Sequence, residues 1–186
     1  MNIFIVDMIK GFATKGTLSS PRVADLIPSQ VAFLERVPQD SNIVFVYDCH
    51  KPGDSEFKRM PVHCEQYTEE TDICPELLEV CKRRGLHYIS IPKQTHSAFY
   101  KTNLEDRPEF ASVGDGWVMF GCVTDVCILA NLIEMDYRGK NVTLLRDLID
   151  TYDIPGHDPD VYNKLFFDSY FPDVWGATIC NSEDIG

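Results

Sequence analysis

Short apolar runs rich in β-branched and aromatic residues recur along the chain and predict buried strands. Five runs are clear and a sixth is weaker: Ile3–Val6, Ile43–Tyr47, Tyr88–Ile91, Trp117–Phe120, Val142–Leu145 and, as the weaker one, Ala177–Cys180. Continuous apolar runs of this length are typical of strands that are covered on both faces of a sheet.

Segments with helical spacing separate these runs. Pro21–Val37 repeats apolar residues every three or four positions, and Pro75–Arg84 begins with proline and stops before Gly85. Asp125–Arg138 and Pro155–Phe171 predict two further helices. This alternation predicts an α/β fold with three layers, in which a doubly wound, mostly parallel sheet of about six strands lies between helices. No linker or repeat interrupts the pattern, so the whole chain of 186 residues is predicted to be a single domain.

Composition narrows the class of protein further. Hydrophobic residues make up 44% of the chain and charged residues 25%, which is ordinary for a globular domain and excludes a disordered one. The formal net charge of −12 argues against nucleic-acid or anionic-membrane partners, because no basic surface is available to neutralise phosphates. The seven cysteines are an odd number, and no secretory signal pattern precedes them. We therefore expect a cytoplasmic protein with free cysteines.

Chemically active side chains follow four successive predicted strands. Asp7 follows the first strand, Asp48 and His50 follow the second, Lys93 the third, and the segment Gly121–Cys127 the fourth. In open parallel sheets, ligands bind beyond the carboxyl ends of the strands. The sequence therefore predicts a site there, although Asp7 as a helix cap and Lys93 as a solvated surface residue are the structural alternatives.

Two features suggest the chemistry of that site. Asp48, His50, Glu56 and His63 offer nitrogen and oxygen ligands suited to Zn²⁺, Mn²⁺ or Fe²⁺, the alternative being a polar surface loop. Cys127 lies near the start of a predicted helix, where the helix terminus and nearby cations would lower its pKa and favour the thiolate. The alternative for Cys127 is a buried, inert thiol.

Four segments together resemble the isochorismatase-like cysteine hydrolases, and among them most closely the nicotinamidases (pyrazinamidases). They are Val6-Asp7 through Phe12, Asp48-x-His50 with Glu56-Phe57 and Pro61-Val62-His63-Cys64, Lys93 with Ser97-Ala98-Phe99 and Thr102, and Gly121-x-x-Thr124-Asp125-x-Cys127. Each segment alone is weak evidence for the family. Four such segments in the right order, each at a strand end, are specific evidence for it. The resemblance spans most of the chain and implies an isochorismatase-like, doubly wound fold.

The resemblance implies a catalytic triad of Asp7, Lys93 and Cys127. In it, Asp7 acts as general base and then general acid, Lys93 favours the thiolate as a cation, and Cys127 forms a thioester. It also implies an oxyanion hole made by the backbone amides of Val123 and Cys127, with a cis peptide bond between Cys122 and Val123.

A metal that holds the pyridine nitrogen of the substrate is implied as well. Its expected ligands are Asp48, His50 and His63, with Glu56 in the fourth position or Asp54 in its place. Zn²⁺ is the expected ion, with Mn²⁺ and Fe²⁺ as alternatives.

The residues expected to contact a small aromatic amide are Phe12, Met60 and Cys122. The implied reaction is hydrolysis of nicotinamide to nicotinic acid and ammonia, by a homo-oligomeric enzyme of NAD salvage. One alternative is another hydrolase of the family, acting on a different amide or on an isochorismate-like vinyl ether. The other is a non-catalytic metal-binding or interaction protein on the same scaffold, in which Cys127 would be no more reactive than the other cysteines.

Overall fold

A computed structural model describes residues 1–185, and within them six parallel strands form one sheet. The strands are β1 Asn2–Val6, β2 Asn42–Asp48, β3 His87–Lys93, β4 Gly116–Cys122, β5 Asn141–Asp150 and β6 Thr178–Cys180. Their order across the sheet is β3-β2-β1-β4-β5-β6. The predicted α/β class and parallel sheet are confirmed, since every predicted run overlaps an observed strand, although β5 extends five residues beyond its run.

Helices connect the strands across the described part of the chain. They are α1 Lys10–Ala13, α2 Pro21–Ala24, α3 Ile27–Leu34, α4 Pro75–Arg84, α5 Pro108–Ala111, α6 Leu129–Tyr137 and α7 Pro159–Leu165. Short 3₁₀ turns occupy Ser55–Lys58, Glu69–Thr71, Leu104–Asp106 and Ser182–Asp184. No helix among residues 1–185 has the length and apolar character needed to cross a membrane.

The prediction of one continuous helix over Pro21–Val37 was wrong. The segment forms two helices, α2 and α3, and the second carries Pro28 in its first turn. Proline has no backbone N–H to donate to the preceding turn, so the chain restarts the helix there instead of continuing it.

Two other predicted helices contain π-helical turns. The segment predicted as Asp125–Arg138 begins with a π-helical turn, Thr124–Ile128, before α6. The prediction that a helix begins at Pro155 was wrong, because α7 begins at Pro159 after Gly156 adopts a φ of 87°. Asp158 caps α7 by accepting hydrogen bonds from the next backbone N–H groups, and a π-helical stretch, Phe166–Val174, follows α7.

Aromatic side chains fill both faces of the sheet. On one face, Phe4 packs edge-on against Trp117, with ring centroids 6.0 Å apart, and Trp117 contacts Phe110. On the other, Phe120 of β4 packs edge-on against Phe33 of α3. Because both faces are covered there, the central strands β1, β2 and β4 are buried almost throughout, which explains their continuous apolar sequences.

The chain reverses its winding direction between β1 and β4. The adjacent strand β2 lies on one side of β1, and β4 lies on the other. A crevice forms at the carboxyl ends of strands where the winding reverses, and ligands bind there in this class of fold. Asp7 follows β1 directly at that point, with a φ of 54°.

Gly121 allows β1 and β4 to approach closely at this edge. The pairing of β4 with β5 shifts register between Met119 and Gly121, and Gly121 has a φ of 129°. A Cβ atom on Gly121 would lie 2.0 Å from the carbonyl oxygen of Val6. Only glycine fits this backbone geometry.

Replacing Gly121 with alanine is expected to lower the free energy of unfolding by about 3 kcal/mol or more, because the methyl group collides with backbone that cannot move away. Urea unfolding measures the change. Gly116→Ala is the matched control, since Gly116 lies in the same strand and a Cβ there meets no atom within 4 Å. A Gly121→Ala protein as stable as Gly116→Ala would contradict this account of the close approach.

Candidate active site

The fold brings together the three side chains predicted as a triad. Asp7 follows β1, Lys93 ends β3, and Cys127 lies in the π-helical turn after β4. The Nζ of Lys93 lies 2.8 Å from Oδ2 of Asp7 and 3.7 Å from Sγ of Cys127. All three side chains are buried. The predicted grouping is present, and the roles of the three residues remain predictions.

Asp48 is a second carboxylate partner of Lys93. Lys93 Nζ donates a hydrogen bond to Oδ1 of Asp48 as well as pairing with Asp7. Asp48 and Lys93 are direct neighbours in the pairing of β2 with β3, which accounts for the contact. The backbone N–H of Asp48 also donates to Oδ1 of Asp7, at 2.9 Å. Sequence reasoning assigned Asp48 only to the metal and missed this second contact.

Burial and the neighbouring charges both shift the pKa values of these groups. Burial alone would lower the pKa of Lys93, but the carboxylates of Asp48 and Asp7 hold it well above its usual value. Burial raises the pKa of Asp7 to about 7, with Asp48 adding to the rise and Lys93 opposing it. For Asp48, the effect of burial is outweighed by Lys93 and His50, which hold its pKa well below its usual range. Lys93 and Asp48 are therefore charged at neutral pH, whereas Asp7 can gain or lose a proton there.

The expected low pKa of Cys127 was wrong. Burial raises its pKa well above the usual value, and Asp7 and Asp48 add to the rise, while only Lys93 opposes it. A charged cluster around a thiol need not favour the thiolate when carboxylates outnumber the cation. Cys127 thus rests as a thiol, and its predicted role as a nucleophile would require a base to remove its proton.

The turn that carries Cys127 has the predicted backbone geometry. The peptide bond between Cys122 and Val123 is cis, as expected. The turn from Thr124 to Ile128 follows it directly, so the amides of Val123 and Cys127 belong to one short segment. Their function as an oxyanion hole stays a prediction. Cys122 is fully buried and its Sγ donates to the carbonyl of Asp7, at 3.2 Å.

A compact group of possible metal ligands adjoins Lys93. One ligand atom from each of Asp48, His50 and His63 lies within 4.8 Å of the others. Oδ2 of Asp48 is 3.6 Å from Nε2 of His50 and 3.9 Å from Nε2 of His63. The same carboxylate therefore faces Lys93 with one oxygen and the two histidines with the other.

The outer nitrogens of both histidines have partners, which leaves the inner ones directed at Asp48. Nδ1 of His63 lies 2.7 Å from the carbonyl of Pro61, and Nδ1 of His50 lies 3.3 Å from Oδ2 of Asp54. Nε2 of His50 is buried and has no hydrogen-bond partner among the described residues. Two inward nitrogens and a carboxylate oxygen fit a divalent cation such as Zn²⁺.

The two candidates for the fourth ligand occupy different positions. Asp54 lies behind His50 and also accepts the backbone N–H of Glu56, at 2.9 Å, so it orients the ring and caps the turn Ser55–Lys58. Glu56 is buried, and its Oε1 lies 4.0 Å from Nε2 of His96. Glu56 lies outside the compact group of three, and its role as a ligand stays a prediction.

The predicted substrate contacts differ in their surroundings. The ring of Phe12 is half-buried and its centroid lies 6.1 Å from that of His63, beside the group of possible metal ligands. Met60 is 39% exposed, just after the turn Ser55–Lys58. Cys122 lies beneath the site, bonded to Asp7. Of the predicted substrate contacts, Phe12 therefore lies beside the group of possible metal ligands.

His96 and Asn131 are two residues of the site that sequence reasoning did not assign. Nδ1 of His96 lies 3.9 Å from Sγ of Cys127. Buried Asn131 of α6 donates to the carbonyls of His96 and Cys127, at 3.1 and 2.8 Å, and accepts the backbone N–H of Ala98. The signal available in the sequence was a polar residue on the buried face of a helix, one turn after the cysteine.

The sequence matches the family model of the isochorismatase domain over residues 2–163, which is most of the chain. The protein therefore belongs to the isochorismatase family and is a hydrolase of that family. A search of curated proteins gives no match.

Solved structures confirm the fold. The pyrazinamidase/nicotinamidase of Streptococcus mutans UA159 superposes with a TM-score of 0.81 at 22% identity, covering 96% of this chain and 99% of that one. The N-carbamoylsarcosine amidase of Thermoplasma acidophilum gives a TM-score of 0.79 at 23% identity, covering 99% and 97%. An isochorismatase-like hydrolase of Alkaliphilus metalliredigens gives 0.78 at 20% identity, covering 98% and 95%. At these identities, the likeness establishes the architecture.

Replacing Lys93 with methionine is expected to lower the free energy of unfolding by about 3–5 kcal/mol, because it leaves two buried carboxylates without their cation. Urea unfolding in the presence of a chelator measures the change. Lys82→Met is the matched control at an exposed position of α4 and is expected to change stability by less than about 0.5 kcal/mol. Equal stability of the two variants would contradict the importance of the buried ion cluster.

Proposed function

We propose that this hydrolase is a metal-containing cysteine amidohydrolase and that its substrate is nicotinamide, which it converts to nicotinic acid and ammonia. The observation that carries the proposal is the single cluster in which Asp7, Lys93 and Cys127 adjoin the group Asp48, His50 and His63. The first set is suited to cleaving an amide, and the second to holding an ion that selects for a ring nitrogen.

The first half of the reaction begins with the resting thiol. Asp7, whose pKa is raised to about 7, accepts the proton of Cys127 as the sulfur attacks the amide carbon. Lys93, 3.7 Å from the sulfur, stabilises the thiolate that develops. The C–N bond breaks, the nitrogen takes the proton from Asp7 and leaves as ammonia, and the acyl group remains on Cys127 as a thioester.

The second half of the reaction restores the enzyme. Asp7 accepts a proton from a water molecule that attacks the thioester carbon, and the departing sulfur of Cys127 then takes that proton back. In both halves negative charge develops on the carbonyl oxygen, and the backbone N–H groups of Val123 and Cys127 would stabilise it. The overall change is the addition of one water and the release of one ammonia.

The ion that we propose would be held by Asp48, His50 and His63, with Glu56 as a further ligand. Zn²⁺ is the ion that we propose, since imidazole nitrogens and carboxylate oxygens are among its usual ligands. Bound there, the ion would supply a Lewis-acid contact for the pyridine nitrogen of the substrate. Phe12, beside His63, would pack against the substrate ring.

The homo-oligomeric state, the cytoplasmic location and the role in NAD salvage remain predictions. So does the choice between nicotinamide and other amides. An assay panel therefore includes pyrazinamide and N-carbamoylsarcosine beside nicotinamide, because an N-carbamoylsarcosine amidase shares the fold.

Replacing Cys127 with alanine is expected to reduce ammonia release from nicotinamide by about a thousandfold or more, because no thioester can form. Ammonia is measured by a coupled enzyme assay under initial-rate conditions. Cys180→Ala removes a thiol from β6, and its rate is expected to equal that of the wild type. Wild-type rates on nicotinamide and pyrazinamide no higher than those of Cys127→Ala would refute the substrate assignment.

Replacing His50 with alanine is expected to weaken metal binding at least about tenfold, because one of the inward nitrogens is lost. Metal content after dialysis against limiting Zn²⁺, measured by mass spectrometry, reports the change independently of activity. His87→Ala serves as the control. His87 is exposed and lies at the amino end of β3, whereas the site lies at the carboxyl ends of the strands. If wild type, His50→Ala and His87→Ala bind the same amount of metal, the proposed site is wrong.

A further inference from the structure

The side chain of Asp125 connects the turn that carries Cys127 to the segment after β5. Oδ1 of Asp125 accepts a hydrogen bond from Oγ1 of Thr151, at 2.7 Å. Oδ2 lies 2.9 Å from Nε2 of His157. In the sequence, Asp125 lies midway between Val123 and Cys127, the two residues whose amides form the predicted oxyanion hole.

The hydrogen bonds of His157 determine where its ring protons lie. Nδ1 of His157 lies 2.9 Å from the carbonyl oxygen of Tyr152, which can only accept a hydrogen bond, so Nδ1 carries a proton. Nε2 faces a carboxylate, which as an anion also can only accept. Neither neutral tautomer satisfies both partners, and the imidazolium does.

Two aromatic rings enclose this imidazole. The ring of Tyr152 stacks on one side with centroids 4.1 Å apart, and that of Tyr162 stacks with centroids 3.9 Å apart. The interplanar angles are 20° and 27°, so both phenol faces lie against the imidazole. Aromatic faces attract cations, and His157 is buried at 7% exposure.

A second set of hydrogen bonds joins the same two segments. Oγ1 of Thr124 donates to Oδ1 of Asn163, at 2.6 Å, and Nδ2 of Asn163 donates to Oδ1 of Asp150, at 2.7 Å. Consecutive residues of the turn, Thr124 and Asp125, are therefore each bonded to the chain between the end of β5 and α7. This double attachment holds the turn to the segment that follows β5.

We propose that His157, as an imidazolium paired with Asp125 between two tyrosine rings, is a positioning residue for Cys127. The pair holds the π-helical turn so that Sγ and the neighbouring amides keep their places relative to Asp7 and Lys93. The inference rests on the proposed role of Cys127 as the nucleophile. The titratable groups against the ring are Asp125 of the turn, Tyr152 of the segment after β5 and Tyr162 of α7.

Replacing His157 with glutamine tests the positioning role. The kcat for nicotinamide is expected to fall about tenfold or more while KM changes less than about twofold, because displacement of the attacking atom affects the reaction more than substrate binding. The rate at which iodoacetamide alkylates Cys127 is expected to fall by a similar factor, because the sulfur moves away from Lys93.

His87→Gln is the matched control, since His87 also pairs with a carboxylate, with Nε2 3.3 Å from Oε1 of Glu109, but lies at the surface. Values of kcat and alkylation rate for His157→Gln equal to those of His87→Gln would overturn the proposal. The alkylation rate needs no substrate. If the wild type fails to hydrolyse nicotinamide, the alkylation rate alone decides the positioning role. A failure of the proposed function is thereby distinguished from a failure of the positioning role.

The protonation of the pair is tested on the wild-type protein, so the test stands even if His157→Gln does not fold. With ¹⁵N-labelled histidine, NMR is expected to show two ring N–H protons on His157 at neutral pH, identified through contacts with the rings of Tyr152 and Tyr162. In Asp125→Asn the amide can donate to Nε2, and one ring proton is expected. A single ring proton in the wild type would overturn the ion pair.

Discussion

The candidate site depends on one buried cation that two carboxylates share. Lys93 lies at the end of β3, and its Nζ pairs with Asp7 beyond β1 and with Asp48 at the end of β2. A lysine taken wholly out of water keeps its charge only with such partners, and the carboxylates equally need the lysine. Each of the three strands contributes one member, so the cluster forms only when the parallel sheet has its correct order and register.

The sheet supplies what this cluster requires. β2 lies between β1 and β3, which places Asp48 directly opposite Lys93 in the strand pairing. On the other side of β1, the close approach of Gly121 to Val6 brings the end of β4, and with it Cys127, beside the same ammonium group. The turn after β4 is attached through its Asp125 to His157, in the segment that follows β5. Reactive groups and their supports thus come from segments far apart in the chain.

Much of this arrangement was predictable from the sequence. Apolar runs located the strands, and the polar residues directly after them, such as Asp7 and Lys93, identified the edge where the site lies, because strand ends converge in a parallel sheet. Other features depend on three-dimensional packing that residue patterns do not encode. Asp48 contacts Lys93 through strand register, Cys127 has a raised pKa because it is buried near two carboxylates, and the place of His96 beside the sulfur depends on Asn131.

The double use of Asp48 has a consequence for how the enzyme can be dissected. One oxygen faces Lys93 and the other faces His50 and His63, so a single carboxylate belongs both to the electrostatics of the thiol and to the group that would select the substrate. A substitution at Asp48 changes both at once, and its effects will not add to those of Lys93 or His50 variants. In the function that we propose, recognition of the substrate and activation of the nucleophile are therefore coupled, and a mutation that alters specificity through Asp48 is expected to alter the rate as well.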